Sequence, residues 1–327
     1  MKKIMLFMLL VMLAVFAVAC GSDTEDTTGT TDNGEVQEDS NDQEEVDEGP
    51  SEIEVEHELG TTTVPTNPET VVVFDFGTVD TLDYLGVDVA AVPQANIPSY
   101  LDQFEADTYE NAGTLFEPDF ETLANLDPDL IIISGRTSEA YDDLTDLAPT
   151  IYMGVDESDY MSSFADNVSL LGEIFNKQDE SQEAIEQVNA DLEDLVGDVP
   201  EDEKGLIVLT NDGALNAYGP GSRFGIIHDD FGIEPVALDI EAATHGQSIS
   251  FEYVAEMDPD YLFVMDRNAV TGGDYTASTT LDNALINQTT AAQEDQIVYL
   301  TPDYWYLSSG GVESVTQMIA EIKQGIE

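Results

Sequence analysis

Residues 120–136 read FETLANLDPDLIIISGR, and residues 251–267 read FEYVAEMDPDYLFVMDR. The two stretches align without a gap at a spacing of 131 positions. In each, helix-forming residues follow a glutamate, an Asp-Pro-Asp turn ends the helix, an apolar run predicts a buried strand, and an arginine comes just after it. The repeat predicts two equivalent α/β lobes. The alternative is chance similarity of common helix and turn sequences, which must also account for the coinciding arginines.

The alternation of strand and helix extends beyond the repeat. Residues 71–76 (VVVFDF) predict a strand, and apolar spacing typical of a helix follows Gly77 until Gly86 stops it. Further apolar runs predict strands at residues 130–133, 206–209 and 261–265. Segments that alternate in this way favour α/β layers built on mainly parallel sheets.

A long helix is predicted between the two lobes. Residues 178–198 carry apolar side chains at helical spacing, and about twenty residues of helix extend roughly 30 Å. A single rigid connector permits only a limited opening of the cleft between the lobes. We therefore predict an α/β fold of two lobes with mainly parallel sheets, residues 53–177 and residues 199–327, joined by this one interdomain helix.

The N-terminal sequence predicts export from the cytoplasm. Residues 1–19 combine two lysines with an apolar run and precede Cys20, the single cysteine of the chain, as in a lipoprotein signal peptide whose cysteine is lipidated. An uncleaved anchor helix is disfavoured, because the apolar run is short for a membrane span. Residues 21–50 contain 12 acids and no basic residue, so residues 20–52 are predicted to form a disordered tether. We expect an extracytoplasmic lipoprotein anchored to the cell membrane.

The net charge of the chain is extreme, at −61 over 327 residues. Such a charge repels the phosphate backbone and excludes nucleic acid as a partner. It is also typical of a surface exposed to high salt or to an alkaline exterior, where ions screen self-repulsion. The net charge therefore indicates the environment of the protein and does not indicate which ligand it binds.

Three arginines stand out because the chain has so few basic residues. Arg136 and Arg267 follow the repeated strands, and Arg223 follows residues 218–222 (YGPGS), a turn at the start of a predicted helix. Because ligands of α/β sheets bind beyond the carboxyl ends of strands, we expect all three to face one cleft between the lobes. Guanidinium groups suit phenolate and carboxylate oxygens, so the pattern predicts an anionic ligand. The alternative is that each arginine is a structural salt-bridge partner.

Two side chains are candidates for direct contact with a metal carried by that ligand. His245 lies in a loop ahead of the second repeat, and Tyr306 lies in the aromatic segment 303–311 (DYWYLSSGG). A tyrosinate oxygen suits ferric iron, as in tyrosine-ligated haem. Tyr304 is a rival two residues away. A structural role is the alternative for the histidine, and core packing is the alternative for either tyrosine.

Several stretches together resemble a known family. They are residues 117–121 (EPDFE), 127–136 (DPDLIIISGR), 217–225 (AYGPGSRFG), 245–248 (HGQS) and 304–307 (YWYL). From about residue 53 to its C-terminus, the chain resembles the siderophore-binding proteins of the helical-backbone class (class III, ferrichrome- and cobalamin-binding-like). The likeness is strongest to binders of petrobactin and other catecholates, and the combination of stretches is more specific than any one of them.

The resemblance implies a role for each candidate residue. The three arginines that line the catecholate pocket in this family fall on Arg136, Arg223 and Arg267. The histidine and tyrosine that ligate iron in tetradentate complexes fall on His245 and Tyr306.

The resemblance also implies partners. Glu121 and Glu252 fall where the family has two glutamates that meet arginines of the permease, although an acid is also favoured there by the helix dipole. The expected function is that of a solute-binding protein that captures a ferric siderophore and delivers it to an ABC importer, a permease with its ATPase. No catalytic activity and no intrinsic cofactor are expected.

Two alternatives belong to other ligand or functional classes. A haem or corrinoid binder of the same fold would favour an apolar cleft with fewer arginines. A secreted hydrolase is disfavoured, because the sequence has no Gly-x-Ser-x-Gly elbow and no His-Glu-x-x-His motif.

Overall fold

The first half of the chain builds a five-stranded sheet in which all strand pairs are parallel. The computed structural model describes residues 51–327, so the predicted signal peptide, Cys20 and residues 21–50 of the predicted tether lie outside the described residues. The strands of this half are β1 (Glu52–His57), β2 (Gly60–Pro65), β3 (Val71–Val73), β4 (Ala91–Val92), β5 (Glu110–Asn111), β6 (Leu130–Ile133) and β7 (Thr150–Tyr152). β1 and β2 form a separate antiparallel hairpin, and the sheet order is β5-β4-β3-β6-β7.

Helices lie on both faces of this sheet. They are α1 (Phe76–Tyr84), α2 (Phe120–Leu126) and α3 (Tyr141–Thr145), with short 3-10 segments at Ser99–Glu105 and Ser138–Ala140. Alternate side chains of β6 pack with α1 on one face and with α2 and α3 on the other. A strand buried on both faces explains its uninterrupted apolar sequence. Two longer helices, α4 (Tyr160–Ile174) and α5 (Gln178–Asp198), then lead to the second half.

The second half builds a six-stranded mixed sheet. Its strands are β8 (Lys204–Asn211), β9 (Ala214–Tyr218), β10 (Glu234–Pro235), β11 (Gln247–Ile249), β12 (Tyr261–Asp266) and β13 (Ile297–Leu300). The strand order is β11-β9-β8-β12-β13. β8, β12 and β13 are parallel to one another, whereas β9 is antiparallel to both of its neighbours, β8 and β11. β10 pairs with β8 in parallel. The helical segments are α6 (Ile226–Asp229), α7 (Phe251–Met257), α8 (Asn268–Thr271), α9 (Ala277–Leu281), α10 (Thr290–Gln293), α11 (Val312–Ile326), a 3-10 turn at Ile286–Gln288 and a π-helix at Asp303–Leu307.

The predicted connecting helix is present as α5, which packs against both α4 and α11. The predicted fold class is confirmed: the protein is α/β, with two lobes of mainly parallel sheet and one long helix between them. α4 places Phe164 in the core of the second lobe and Leu171 in the core of the first, whereas the buried apolar residues of α5 pack in the core of the second lobe. The boundaries 53–177 and 199–327 stay predictions. Within residues 51–327, none of the helices combines the length and apolar character needed to span a bilayer.

The two copies of the repeat have the same local structure. α2 and α7 each span seven residues and each ends at an aspartate in the left-handed conformation, Asp127 at φ 51° and Asp258 at φ 45°. Aspartate tolerates this backbone better than most residues. The second aspartate of each turn fixes the neighbouring strand. Asp129 accepts a hydrogen bond from the backbone N–H of Thr70, just before β3, and Asp260 accepts one from that of Lys204, the first residue of β8, both at 2.8 Å. The Asp-Pro-Asp turn therefore stops a helix and aligns a strand in each lobe.

The strand predicted at residues 71–76 is shorter than expected. β3 ends at Val73, because Asp75 starts α1 by accepting hydrogen bonds from the backbone N–H and the hydroxyl of Thr78, at 2.8 and 3.1 Å. The helix consequently begins at Phe76. Local capping chemistry overrides the β preference of the apolar run.

Candidate ligand-binding site

A cavity of about 380 Å³ lies beyond the carboxyl ends of β3, β6 and β7, where loops of the second lobe close over them. Its lining includes Asp75, Phe116, Arg136 and Tyr152 from the first lobe and Arg223, His245 and Tyr306 from the second. Four of the five predicted ligand-binding and metal-binding residues are thus brought together from distant parts of the sequence. Arg267 is not among the lining residues.

Tyr306 is the residue on which the arginines converge. Arg136 donates from Nη2 to the backbone oxygen of Tyr306 at 2.5 Å and from Nη1 to that of Leu307 at 3.2 Å. Arg223 donates from Nη2 to the same Tyr306 oxygen at 2.7 Å, and its guanidinium carbon lies 4.2 Å from the centre of the Tyr306 ring. Two guanidinium groups therefore stand together at the cavity wall, held by neutral acceptors.

Arg267 is hydrogen-bonded to Tyr306 and does not line the cavity. Its Nε donates to the Tyr306 hydroxyl at 3.0 Å, and its Nη1 donates to Asn211 Oδ1 at 3.0 Å. This arginine therefore contacts the phenol oxygen directly without lining the cavity. Direct contact between Arg267 and a ligand stays a prediction.

The positive charges of the protein fall into two kinds of surroundings. Each described lysine, at positions 177, 204 and 323, forms an ion pair with a nearby acid. Among residues 51–327, no arginine lies within 4.0 Å of a carboxylate oxygen. Burial and the adjacent charge of Arg223 lower the pKa of Arg136. Direct ion pairs therefore do not account for the arginines, although the carboxylates of Asp75 and Glu157 line the same cavity and act on Arg136 and Arg223 at longer range.

The cavity is lined by two tyrosines whose pKa values are shifted in opposite directions. Burial opposes ionisation of Tyr306, but the hydrogen bond from Arg267 and the charges of the three arginines outweigh it, so its pKa lies below the usual value of 10. Burial and nearby carboxylates, Glu58 first among them, raise the pKa of Tyr152 to about 12. Tyr306 is thus suited to act as a tyrosinate, whereas Tyr152 stays a neutral hydrogen-bond donor.

The rival residues for metal contact occupy different positions. His245 is exposed and lines the cavity beside Thr244. Tyr304 turns away from the cavity: its ring lies 4.8 Å from that of Tyr100, at an interplanar angle of 43°. The two tyrosines therefore face different neighbours although they are two residues apart.

The predicted docking residues lie outside the cavity. Glu121 and Glu252 are exposed, each in the first turn of its helix, α2 and α7. They occupy equivalent places in the two copies of the repeat. This symmetry presents one carboxylate on each lobe to solvent.

Among the cavity-lining residues that sequence reasoning missed are Asp75, Phe116 and Tyr152. Asp75 and Tyr152 stand at or just past the ends of β3 and β7, so the rule that ligands bind beyond carboxyl ends of strands identifies both once the strands are located. Phe116 lies in a loop, with 68% of its surface exposed. An exposed phenyl group in a loop has no periodic signal, although aromatic rings in loops are common ligand contacts.

Alkaline spectrophotometric titration is expected to show one of the 13 tyrosines ionising before the others. The reason is that the surrounding arginines favour the tyrosinate form of Tyr306. Tyr306→Phe should remove this first step. Tyr304→Phe is the matched control and should retain it, because burial and nearby acids raise the pKa of Tyr304. A first step that survives in Tyr306→Phe would contradict the assignment.

Sequence comparison finds relatives that are named for the ligands they bind. The chain is 45% identical over 281 residues to the petrobactin-binding protein YclQ of Bacillus subtilis (strain 168), covering 84% of this chain and 89% of the relative. It is 31% identical over 282 residues to the ferric-anguibactin-binding protein FatB of Vibrio anguillarum, covering 84% and 88%. Both alignments span most of each protein, so the likeness is not confined to one lobe.

Solved structures and a family profile agree with the sequence relatives. The crystal structure of YclQ superimposes with a TM-score of 0.83 at 44% identity, covering 85% of this chain and 99% of that one. The periplasmic catecholate-siderophore binding protein VctP of Vibrio cholerae gives a TM-score of 0.80 at 35% identity, covering 84% and 99%. The profile described as periplasmic binding protein matches residues 71–304, which extend from β3 into the π-helix. This chain is therefore a member of the periplasmic binding protein family.

Proposed function

We propose that this protein binds a ferric siderophore of the catecholate type, similar to petrobactin, in the cavity between its lobes and delivers it to an ABC importer. One observation carries the proposal: two guanidinium groups without carboxylate partners flank a tyrosine of lowered pKa. The named relatives, which bind ferric siderophores or catecholates, support it. The protein is a binding protein and not an enzyme.

The two cavity arginines suit the charge of a ferric catecholate. Such a chelate is an anion, and its phenolate oxygens accept hydrogen bonds from Arg136 and Arg223, which keep donors free beyond those used for the Tyr306 backbone. A tetradentate chelator leaves iron positions open, and we assign Tyr306 and His245 to fill them. Arg267 stabilises the tyrosinate by donating to its oxygen. Phe116 at the cavity edge offers apolar surface to a catechol ring.

The same proposal sets the place and partners of the protein. We propose that it works outside the cytoplasm, anchored through a lipid on Cys20, with residues 20–52 as a tether. Glu121 and Glu252 would meet arginines of the permease, one on each lobe. The partner ATPase would supply the energy of transport.

Titration with a ferric catecholate should quench the protein fluorescence in a saturable, one-to-one manner. Trp305 is the single tryptophan of the chain, is fully buried and precedes Tyr306, so it reports on the cavity. A tetradentate complex should also produce a tyrosinate-to-iron charge-transfer band that is absent in Tyr306→Phe and kept in Tyr304→Phe.

Three results would count against this proposal. Saturable binding of haem or a corrinoid, with no response to ferric catecholates, would show that the ligand belongs to the haem or corrinoid class instead. An unchanged band in Tyr306→Phe would reject Tyr306 as ligand and leave the ligand class standing. Loss of the band in Tyr304→Phe alone would transfer the role to that residue.

A further inference from the structure

A buried carboxylate that does not line the cavity ties the two lobes together. Asp80 lies in α1 of the first lobe and is 2% exposed. Its oxygens accept from the backbone N–H groups of Glu313 and Ser314, the first turn of α11 in the second lobe, each at 2.8 Å. A third donor, the hydroxyl of Tyr100, lies 2.8 Å away. All three donors come from elements other than α1.

The backbones of the two lobes touch at the same place. A Cβ on Gly311 would come within 2.3 Å of the Asp80 carboxyl carbon, and a Cβ on Gly77 would lie 2.9 Å from the backbone oxygen of Ser309. Only glycine allows approaches this close. α1 is therefore in direct contact with the turn that precedes α11.

That turn is continuous with the helix that carries Tyr306. The Ser308 hydroxyl oxygen lies 2.7 Å from the Tyr100 hydroxyl, whose one proton goes to Asp80, and 2.6 Å from the backbone oxygen of Asp303. Ser314 donates from its hydroxyl to the backbone oxygen of Ser308 at 2.7 Å. The hydrogen bonds thus run from Asp80 to both ends of the five-residue π-helix.

The ionised form of Asp80 does not stabilise the folded protein. Burial raises the pKa of Asp80 to about 6, although hydrogen bonds from Glu313, Ser314 and Tyr100 act in the opposite direction. Because this value exceeds the unfolded one of 3.8, the group lowers the free energy of unfolding as the pH rises through that window. The carboxylate instead supplies several converging hydrogen bonds in one fixed geometry.

We infer that Asp80 is the positioning residue for Tyr306: it couples α1 to α11 and the intervening turn, and so holds the phenol against the arginines. This inference rests on the proposed function where it concerns iron. It makes the geometry of the iron-ligating side chain depend on how the first lobe sits against the second. The simpler alternative is that Asp80 only caps α11 and contributes to stability.

The test compares Asp80→Asn with Asp83→Asn, which removes the same charge from an exposed position of α1. In the ligand-free protein, Asp80→Asn should move the Tyr306 ionisation step to higher pH, because the phenol is no longer held beside its arginines. With a tetradentate ferric catecholate at pH 7.5, it should weaken the charge-transfer band and lower affinity about tenfold to a hundredfold, as second-layer changes at metal sites do. A hexadentate complex, which does not need Tyr306, should lose much less. Asp83→Asn should match the parent throughout.

Each other outcome has a defined meaning. An unchanged ionisation step and an unchanged band in folded Asp80→Asn would overturn the inference, as would equal losses for the tetradentate and hexadentate complexes. If Asp80→Asn does not fold, Tyr100→Phe decides, since it deletes one hydrogen-bonding hydroxyl of the network and should shift both readouts in the same direction. If the parent binds no ferric catecholate, the proposed function fails, while the ligand-free ionisation step still decides the role of Asp80.

Discussion

Replacing Arg136 and Arg223 together by alanine is expected to reduce the affinity for a ferric catecholate about a hundredfold to ten-thousandfold. A hydrogen bond to a charged group contributes roughly 1.5–3 kcal/mol, and two such contacts to the chelate would be lost. The loss should be larger than for any other pair of charges, because these two guanidinium groups lack carboxylate partners within residues 51–327. Fluorescence titration at fixed salt measures it.

The matched control removes two positive charges elsewhere. Lys177→Ala with Lys204→Ala changes the net charge by the same amount, but both lysines sit in exposed ion pairs. Such pairs contribute little, so binding should stay near the parental value. Equal losses in the two double variants would show that long-range charge, rather than contact with the chelate, governs binding.

Single substitutions should show coupling between the two arginines. Both donate to the backbone oxygen of Tyr306, so removing one leaves the other able to shift toward the ligand. The double variant should therefore lose more affinity than the two single variants predict by addition. Additive losses would mean that the two groups act independently.

Replacing Glu121 and Glu252 by alanine is expected to abolish ferric-siderophore uptake by cells while ligand binding stays parental. Both carboxylates are exposed and lie outside the cavity, so the ligand does not sense them. Docking would bury each against a permease arginine, and losing one partner of a buried charge pair costs about 2–5 kcal/mol. Uptake of labelled iron, measured beside fluorescence titration, separates the two effects.

The control for this pair lies on the long helix α5. Glu183→Ala with Glu193→Ala removes two exposed carboxylates from a different surface and should leave uptake unchanged. Parental uptake in the Glu121 and Glu252 variant would refute the docking assignment. Reduced ligand binding in that variant would instead place the two glutamates in a role within the lobes.

The repeated stretches show which features of this fold follow from interactions between residues close in sequence. Asp127 and Asp258 stop their helices in a left-handed conformation, and Asp129 and Asp260 align the strands beside them. The helix stops join residues close in sequence, so a linear pattern is enough to predict them. The bonds from Asp129 and Asp260 reach backbone N–H groups 59 and 56 positions away and became visible only in the folded sheets. The residues just after the strands, where the arginines stand, follow from the same pattern.

The arrangement of the site depends on contacts that no linear pattern contains. Tyr304 and Tyr306 are chemically identical, and only the packing of the π-helix between the two lobes turns one toward Tyr100 and the other toward the arginines. The hydrogen bond from Arg267 to the phenol, and the link from Asp80 to α11, likewise join residues far apart in the chain. Periodicity reports which face of an element is buried, whereas the neighbours that each side chain meets are decided when separate elements pack.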